Sequence, residues 1–324
     1  MRSAHRRHVE AFRAAVPHLG VDVERLPLVV DGAALTAYRF APRGALGRGA
    51  GARGTVLLPC GYDSTAEEGW GSAAAALARG YAAVTFEGPG QGQALLDGLP
   101  LRQEFERVVS PLVDLLLERG DAGPLVLVGR SFAGFLGLPA AAHDHRLAAL
   151  VLDPAQPWMG AHVPSGVVGR VAPAVVGARM RASGAAREFF GARMAAHGLT
   201  SPAAYLAELR RWDVRDQVGA ITCPTLLVEC QGDPVGGGGP ALAPLLTAPH
   251  DLVRLAATSG ADGHCGGLGQ TVWADAVYAW LGRTLAAASD GEAAGEAADV
   301  AAGVRGTGAP GARGAPRMSV WPWF

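Results

Sequence analysis

Residues 125–137, LVLVGRSFAGFLG, decide the fold, because they read as a buried strand, a sharp turn and a helix of small residues. Ser131 stands at the turn, in a small-x-Ser-x-small pattern with Gly129 and Ala133. The small residues matter because larger side chains at these positions would collide with the neighbouring strand and helix. The stretch predicts either a nucleophile raised on a strained turn or a plain turn in which Ser131 caps the helix.

The chain around this stretch alternates short apolar strands with helices. The predicted strands are residues 55–59, 82–86, 125–129, 149–153, 225–229 and 252–256. The predicted helices are residues 72–80, 104–120, the segment after Gly134, and 270–288. Continuous apolar strands that alternate with helices indicate a parallel sheet covered on both faces. Before this pattern, an Asp31-Gly32 turn between two alternating runs predicts a hairpin.

The pattern divides the chain into four parts. Residues 1–21 are expected to hold an N-terminal helix, and residues 22–155 and 219–288 are expected to form the α/β core. Residues 156–218 contain helical segments and no convincing strand pattern, so we expect a helical cap above the strand ends. Residues 289–324 are rich in Gly, Ala, Glu, Pro and Arg, which cannot bury a core, so we expect a disordered tail.

Composition excludes several classes of partner. The 324 residues are 49% hydrophobic with a net charge of -1, which suits one large domain and gives no electrostatic case for nucleic acid or an anionic membrane. The N-terminus lacks the apolar segment of a secretory signal, and no apolar run approaches the length of a membrane span. The four cysteines have no zinc-like spacing. We expect a cytoplasmic protein without a metal site; its oligomeric state is open, with a homodimer as one alternative.

A serine nucleophile needs a histidine base and an acid that orients the base. Among nine histidines, His264 is the candidate, because it lies in the loop ATSGADGHCGGLG after the last predicted strand. That place matches the chain order serine, acid, histidine of this motif. Asp233, just past the penultimate strand, is the preferred acid. Asp153, at the end of the strand after the turn, is the alternative.

Acyl transfer also requires N–H donors for the oxyanion. The backbone N–H of Phe132 directly follows the serine. The N–H of Tyr62 lies in the loop LLPCGYDSTAEE, where Gly61 lets the backbone approach a substrate oxygen. The alternative for Tyr62 is a loop aromatic without a role in catalysis.

Two further residues are predicted to bind the substrate. Arg130 stands beside the serine and is expected to pair with a cap or loop carboxylate, such as Glu67 or Glu68. Trp158 belongs to an aromatic and apolar set in the cap that predicts an apolar substrate, although such residues pack cap helices equally often. The set is Trp158, Met159, Phe189, Phe190, Tyr205 and Trp212.

Seven segments in order, PCGYDSTAEE, RGYAAVTFEGPGQG, VVSPLVDLLLERG, LVGRSFAGF, HDHRLAALVLDP, CPTLLVE and GHC, resemble α/β hydrolases of the dihydropseudooxynicotine-hydrolase type. Fungal hydrolases that shorten polyketide pigment precursors look similar. The resemblance implies the α/β-hydrolase fold, with a mostly parallel, doubly wound sheet and a helical cap insertion. It also implies a triad of Ser131, Asp233 and His264, and no cofactor.

Three functions are compatible with these residues. The leading one is a serine hydrolase that cleaves an ester, or a C–C bond next to a ketone, in an apolar or polyketide-like small molecule. The second uses the same triad for cyclisation or lyase chemistry in secondary metabolism. The third is a binding protein without catalysis. Fold alone does not decide among them.

Overall fold

The computed structural model describes residues 2–46, 53–267 and 269–298. The strands in these ranges are β1 (Val21–Arg25), β2 (Val29–Val30), β3 (Ala33–Ala34), β4 (Ala37–Pro42), β5 (Thr55–Pro59), β6 (Ala82–Phe86), β7 (Leu125–Arg130), β8 (Leu147–Asp153), β9 (Thr225–Cys230) and β10 (His250–Leu255). The α-helices are α1 (Arg2–Ala15), α2 (Trp70–Leu77), α3 (Gly92–Leu96), α4 (Glu106–Glu118), α5 (Ala133–His143), α6 (Gly166–Ala182), α7 (Gly184–Ala196), α8 (Pro202–Arg211), α9 (Gly239–Leu242) and α10 (Gln270–Ala298).

The central sheet in the described residues has eight strands in the order β1-β4-β6-β5-β7-β8-β9-β10. β1 pairs antiparallel with β4, and β4 pairs antiparallel with β6. All pairs from β6 through β10 are parallel. β2 and β3 form a separate hairpin around the predicted Asp31-Gly32 turn. The predicted mostly parallel sheet is therefore confirmed.

Apolar side chains cover both faces of this sheet because neighbouring residues of a strand point to opposite sides. On one face, Leu57 and Leu127 are buried in a core that includes residues of α4 and α5. On the other face, Val56 and Val126 are buried with residues of α2 and α10. Burial on both sides explains why the central strands read as continuous apolar runs.

Helices α6, α7 and α8 lie between β8 and β9, within the interval predicted as a cap, and we call them the cap helices. The side chains of Ser183 and Ser201 accept the N–H groups of Ala186 and Ala204, so each serine caps the helix that follows it. Trp212, which directly follows α8, packs against the ring of Phe132, with 5.4 Å between the ring centroids. The residue that follows Ser131 therefore carries part of the contact between cap and sheet.

The C-terminal helix differs from the prediction. α10 continues past residue 288 to Ala298, so the predicted tail, residues 289–324, begins inside a helix. The segment that extends the helix is rich in alanine and glutamate, both good helix formers. The part of the tail from residue 299 onward lies outside the described residues. None of the helices in the described ranges is long and apolar enough to cross a membrane.

Candidate active site

The turn between β7 and α5 holds Ser131 in a left-handed backbone conformation, with φ of 57°. This conformation is strained for a residue with a side chain. The N–H of Ser131 donates to the carbonyl oxygen of Asp153 over 2.7 Å, which ties the turn to β8. Glycine is needed nearby, because a Cβ on Gly129 would lie 2.3 Å from the Ala133 carbonyl oxygen, and one on Gly134 would lie 1.9 Å from the Pro154 carbonyl oxygen.

The Ser131 side chain points to His264 and does not cap α5. The distance from Ser131 Oγ to His264 Nε2 is 2.8 Å. His264 Nδ1 lies 3.0 and 3.1 Å from the two carboxylate oxygens of Asp233. Because an ionised carboxylate only accepts hydrogen bonds, Nδ1 donates to Asp233 and Nε2 accepts from the serine hydroxyl. The hydrogen bond to Asp233 raises the pKa of His264.

Asp233 is held from two sides while its side chain is fully buried. The N–H of Val235 donates to Oδ1 over 2.9 Å, and the N–H of Cys265 donates to Oδ2 over 3.1 Å. These bonds fix the carboxylate against the imidazole. The preferred acid of the sequence analysis is thus brought together with Ser131 and His264.

The glycine run after Asp233 is held by Glu229. Its carboxylate accepts the N–H groups of Gly237 and Gly239, each over 2.6 Å. Burial raises the pKa of Glu229 above its ordinary value. The loop beside the acid is therefore anchored to β9 by a half-buried side chain.

Asp153, the alternative acid, is fully buried at the end of β8. Its Oδ1 accepts from the Cys230 thiol over 3.6 Å, and its Oδ2 lies 3.9 Å from Nε of Arg130. Burial raises the pKa of Asp153 to about 6. Among the described residues, the carboxylate that hydrogen-bonds to His264 is Asp233.

Arg130 turns away from the glutamates proposed as its partners. Its Nη2 donates to the carbonyl oxygen of Cys265 over 2.5 Å, and its guanidinium lies 4.3 Å from the ring centre of Trp273 in α10. Glu67 instead accepts from the Tyr38 hydroxyl, and Glu68 accepts from a backbone N–H in its own loop. The predicted pairing of Arg130 with Glu67 or Glu68 is wrong, because the guanidinium packs on α10 and the loop that carries Cys265.

The two predicted oxyanion donors lie next to Ser131. A Cβ on Gly61 would be 3.2 Å from the Ser131 Cβ, so the loop after β5 that carries the N–H of Tyr62, which we call the oxyanion loop, passes directly against the serine. Within the described part of the chain, neither the N–H of Tyr62 nor that of Phe132 donates to another protein group. Donors without a protein partner are what an oxyanion site requires.

Two cavities meet at Ser131 and His264. The first, which we call the cap cavity, has a volume of about 160 Å³. Its lining is mainly apolar, with Phe132, Met159, Phe189, Pro234 and Val235. The second, which we call the loop cavity, has a volume of about 360 Å³ and a more polar lining that includes Ser64, Thr65, Glu68, Ser72 and Arg130. A substrate therefore has an apolar and a polar region available on either side of the serine.

Trp158 lies outside both cavities. Its Nε1 donates to the carbonyl oxygen of Arg210 over 3.4 Å, and the guanidinium of Arg215 lies 4.6 Å from its ring centre. This placement does not support the predicted substrate-binding role, because the indole contacts the Arg210 carbonyl oxygen and the Arg215 guanidinium instead. Of the two predicted substrate-binding residues, only Arg130 lines a cavity.

Sequence reasoning missed several polar side chains around the serine. Cys265 has φ of 50°, and its sulfur accepts the N–H of Ser131 over 3.2 Å. Gln156 Nε2 donates to the carbonyl oxygen of Ser131 over 3.0 Å. The Tyr62 hydroxyl is hydrogen-bonded to Nε2 of His197, whose pKa is lowered to about 4 by burial. The GHC segment was a signal for Cys265, whereas neither Gln156 nor His197 stands in a motif.

Asp233, His264 and Cys265 are also the one group of described residues whose side chains are close enough to share a metal ion. A cysteine side chain binds a metal ion as the thiolate. Burial raises the pKa of the Cys265 thiol far above its ordinary value. The donor set therefore fits the hydrogen-bonded arrangement better than a metal site.

A mostly parallel sheet with a serine on a tight turn between strand and helix defines the α/β-hydrolase fold. Solved structures agree. Est1E from Butyrivibrio proteoclasticus has a TM-score of 0.54, covering 81% of this chain and 99% of that chain at 16% identity, which shows the fold alone. The protein has the α/β-hydrolase fold.

The chain is similar to 2,6-dihydropseudooxynicotine hydrolase of Paenarthrobacter nicotinovorans, with 36% identity over 149 residues that cover 45% of this chain and 38% of the relative. A crystal structure of 2,6-dihydroxy-pseudo-oxynicotine hydrolase has a TM-score of 0.66 and 26% identity, covering 88% of this chain and 74% of that chain. Hydrolase acrC of Aspergillus aculeatus is 29% identical over 252 residues, covering 69% of this chain and 57% of the relative. The chain thus spans 38% and 57% of the length of these two curated relatives. No protein-family model matches it. The resemblance predicted from the sequence is confirmed.

Proposed function

We propose that the protein is a serine hydrolase that acts on the carbonyl group of an apolar small molecule. The observation that carries the proposal is the hydrogen-bonded chain of Ser131, His264 and Asp233, with distances of 2.8 Å and 3.0 Å, at the meeting point of two cavities. A serine hydroxyl is a weak nucleophile unless an adjacent base removes its proton. His264 supplies that base, and Asp233 supplies the carboxylate that orients it.

In the proposed first step, Ser131 Oγ attacks the carbonyl carbon while His264 Nε2 takes the hydroxyl proton. The negative oxygen of the tetrahedral intermediate accepts from the N–H groups of Tyr62 and Phe132. Asp233 stabilises the imidazolium without taking its proton. Collapse of the intermediate breaks the bond to the leaving group, and the imidazolium donates its proton to that group.

In the proposed second step, water hydrolyses the acyl-enzyme. His264 takes a proton from water, and the resulting hydroxide attacks the acyl carbon. The side chain of His264 is 43% exposed, which gives solvent a path to Nε2. Return of the proton to Ser131 Oγ releases the carboxylic acid. Water access favours hydrolysis over a cyclisation or lyase reaction by the same residues.

The two cavities support the proposed substrate class. The apolar cap cavity suits the hydrocarbon part of an acyl group, whereas the loop cavity offers hydroxyl groups to a more polar leaving group. An ester fits this division, and so does a ketone whose adjacent C–C bond is cleaved. The relatives are named as hydrolases, one of them of 2,6-dihydropseudooxynicotine, which supports this class of reaction.

A fluorophosphonate probe and product mass test the proposal. We expect the probe to label wild-type protein at Ser131 and to leave Ser131→Ala unlabelled. Ser72→Ala, which changes another serine that lines the loop cavity, is the matched control and should label like wild type. Hydrolysis of 4-nitrophenyl butyrate should add one water to the products. Wild-type turnover in folded Ser131→Ala would overturn the mechanism, and consumption of the ester without release of butyric acid would count against hydrolysis.

A further inference from the structure

We propose that Gln91 is a positioning residue that aims the N–H of Tyr62 at the oxyanion. The inference rests on the proposed serine-hydrolase function and goes beyond it, since Gln91 does not contact Ser131 or His264. It concerns the motif GPGQG, residues 88–92, for which the catalytic residues give no explanation.

The Gln91 side chain is 1% exposed, and both its amide nitrogen and its amide oxygen form hydrogen bonds. Its Nε2 donates to the carbonyl oxygens of Cys60 and Gly61 over 2.6 and 3.0 Å. Its Oε1 accepts the N–H of Gly88 over 2.7 Å. A buried amide with three such bonds is rigidly oriented and expensive to replace.

The bond to Gly61 reaches the predicted oxyanion donor through one peptide group. The carbonyl of Gly61 and the N–H of Tyr62 belong to the same planar unit, in which they point in opposite directions. A side chain that fixes the carbonyl therefore fixes the direction of the N–H. Donation to the carbonyl also polarises the peptide, which strengthens the N–H as a donor.

The local sequence delivers Gln91 to this place. The loop that follows β6 passes so close to its neighbours that a Cβ on Gly88 would lie 2.4 Å from the Phe105 ring, and one on Gly92 would lie 1.8 Å from Glu87 Oε1. Only glycine fits at these two positions. The glycines thus allow the tight path, and Gln91 is the residue of the loop whose side chain donates to the carbonyl oxygens of Cys60 and Gly61.

A purely structural role makes a different prediction from a positioning role. Loss of packing lowers stability and weakens all ligands alike. Misdirection of one oxyanion donor weakens only ligands that carry a negative oxygen, and it lowers kcat with little change in KM. Removal of a whole donor costs about 10²–10³-fold in kcat, so a misaimed donor should cost less.

The test uses Gln91→Met, which keeps the length of the side chain and removes its donors. We expect kcat for 4-nitrophenyl butyrate to fall about 10–100-fold, with KM within about threefold. The inhibition constant of a trifluoromethyl alkyl ketone, which forms a hemiketal oxyanion on the serine, should rise by the same factor. The inhibition constant of the matching methyl ketone, which stays trigonal, should stay within about threefold.

Gln93→Met is the matched control, because the Gln93 side chain donates to Asp97 and does not touch the oxyanion loop. It should leave kcat and both inhibition constants unchanged. Gln91→Asn is the second variant, since its amide is one methylene too short to reach both carbonyls, and it should reproduce the selective loss.

Each outcome decides the matter. Equal weakening of both ketones, an unchanged kcat in folded Gln91→Met, or loss of the fold in both Gln91 variants by circular dichroism would make Gln91 a structural residue only. If the proposed function itself fails, the wild-type protein will neither hydrolyse the ester nor bind the trifluoromethyl ketone more tightly than the methyl ketone. The two failures are therefore distinguishable.

Discussion

Asp233→Asn is expected to lower kcat/KM for an ester about 10³–10⁴-fold. In the structure, both carboxylate oxygens lie within 3.1 Å of His264 Nδ1, and the side chain is fully buried. A neutral amide in this place no longer requires the proton on Nδ1, so Nε2 can carry it and then cannot accept the serine proton. At 1.36 kcal/mol for each factor of ten, the loss is about 4–5.5 kcal/mol of transition-state stabilisation.

Asp153→Asn is the matched comparison, because it makes the same chemical change in a buried carboxyl that does not contact His264. We expect its kcat/KM to stay within about tenfold of wild type. The assay is the initial rate with 4-nitrophenyl butyrate from pH 5 to 9, with thermal melts to show that both variants fold. Activity needs neutral His264, whose pKa is raised by Asp233. The acid limb should therefore lie above the ordinary histidine value in wild type and move to lower pH in Asp233→Asn.

The reverse pattern would refute the assignment. A loss of about 10³-fold in folded Asp153→Asn, with near wild-type rates in Asp233→Asn, would make Asp153 the acid. An acid limb that stays in place in Asp233→Asn would show that the carboxylate does not set the pKa of His264.

Three further changes test other parts of the site. Gly61→Ala should lower kcat about tenfold or more while the protein still folds, because its methyl group would lie 3.2 Å from the Ser131 Cβ; steady-state kinetics measure this. In wild type, the free energy of unfolding should fall by about 3 kcal/mol as pH rises from 4.5 to about 7, and Glu87→Gln should abolish this fall. Burial raises the pKa of Glu87 from 4.5 to about 7, so the folded state favours its protonated form; urea unfolding at pH 4.5 and 8 measures this. Arg130→Met should destabilise the fold by about 3 kcal/mol or less, because it leaves the buried Asp153 without its cation; a thermal melt measures this.

Contrary results are equally specific. An unchanged kcat in Gly61→Ala would show that the oxyanion loop can move back at no cost to catalysis. A pH dependence of unfolding that persists in Glu87→Gln would assign it to another buried acid. Wild-type stability of Arg130→Met at pH 8 would show that Asp153 needs no cation.

Much of the fold was predictable because the central strands are buried on both faces. β5 and β6 match the predicted runs at both ends, and β7 extends its run by one residue. β10 begins earlier than predicted because its first residues are exposed and polar, and it also ends one residue earlier. The end of α10 was missed because alanine-rich segments suit a helix and an irregular tail alike.

The candidate site was predictable for the residues whose places are set by the chain order serine, acid, histidine. The positions of Ser131, Asp233 and His264 follow from strand ends, which meet at one edge of a parallel sheet. The contacts of Arg130 and Gln91 were not predictable in this way. Each joins segments at least 30 residues apart through a side chain whose direction no periodicity encodes.

The packing of Phe132 has a consequence for protein engineering. Its backbone N–H is a proposed oxyanion donor, yet its ring is wedged under the cap against Trp212. The side chain of Tyr62, whose N–H is the other donor, is likewise bonded to His197 at the end of α7. Exchanging this cap for that of a relative, to change which molecules are accepted, would therefore disturb the positions of both proposed N–H donors. A successful graft has to carry positions 62, 132, 197 and 212 as a single module.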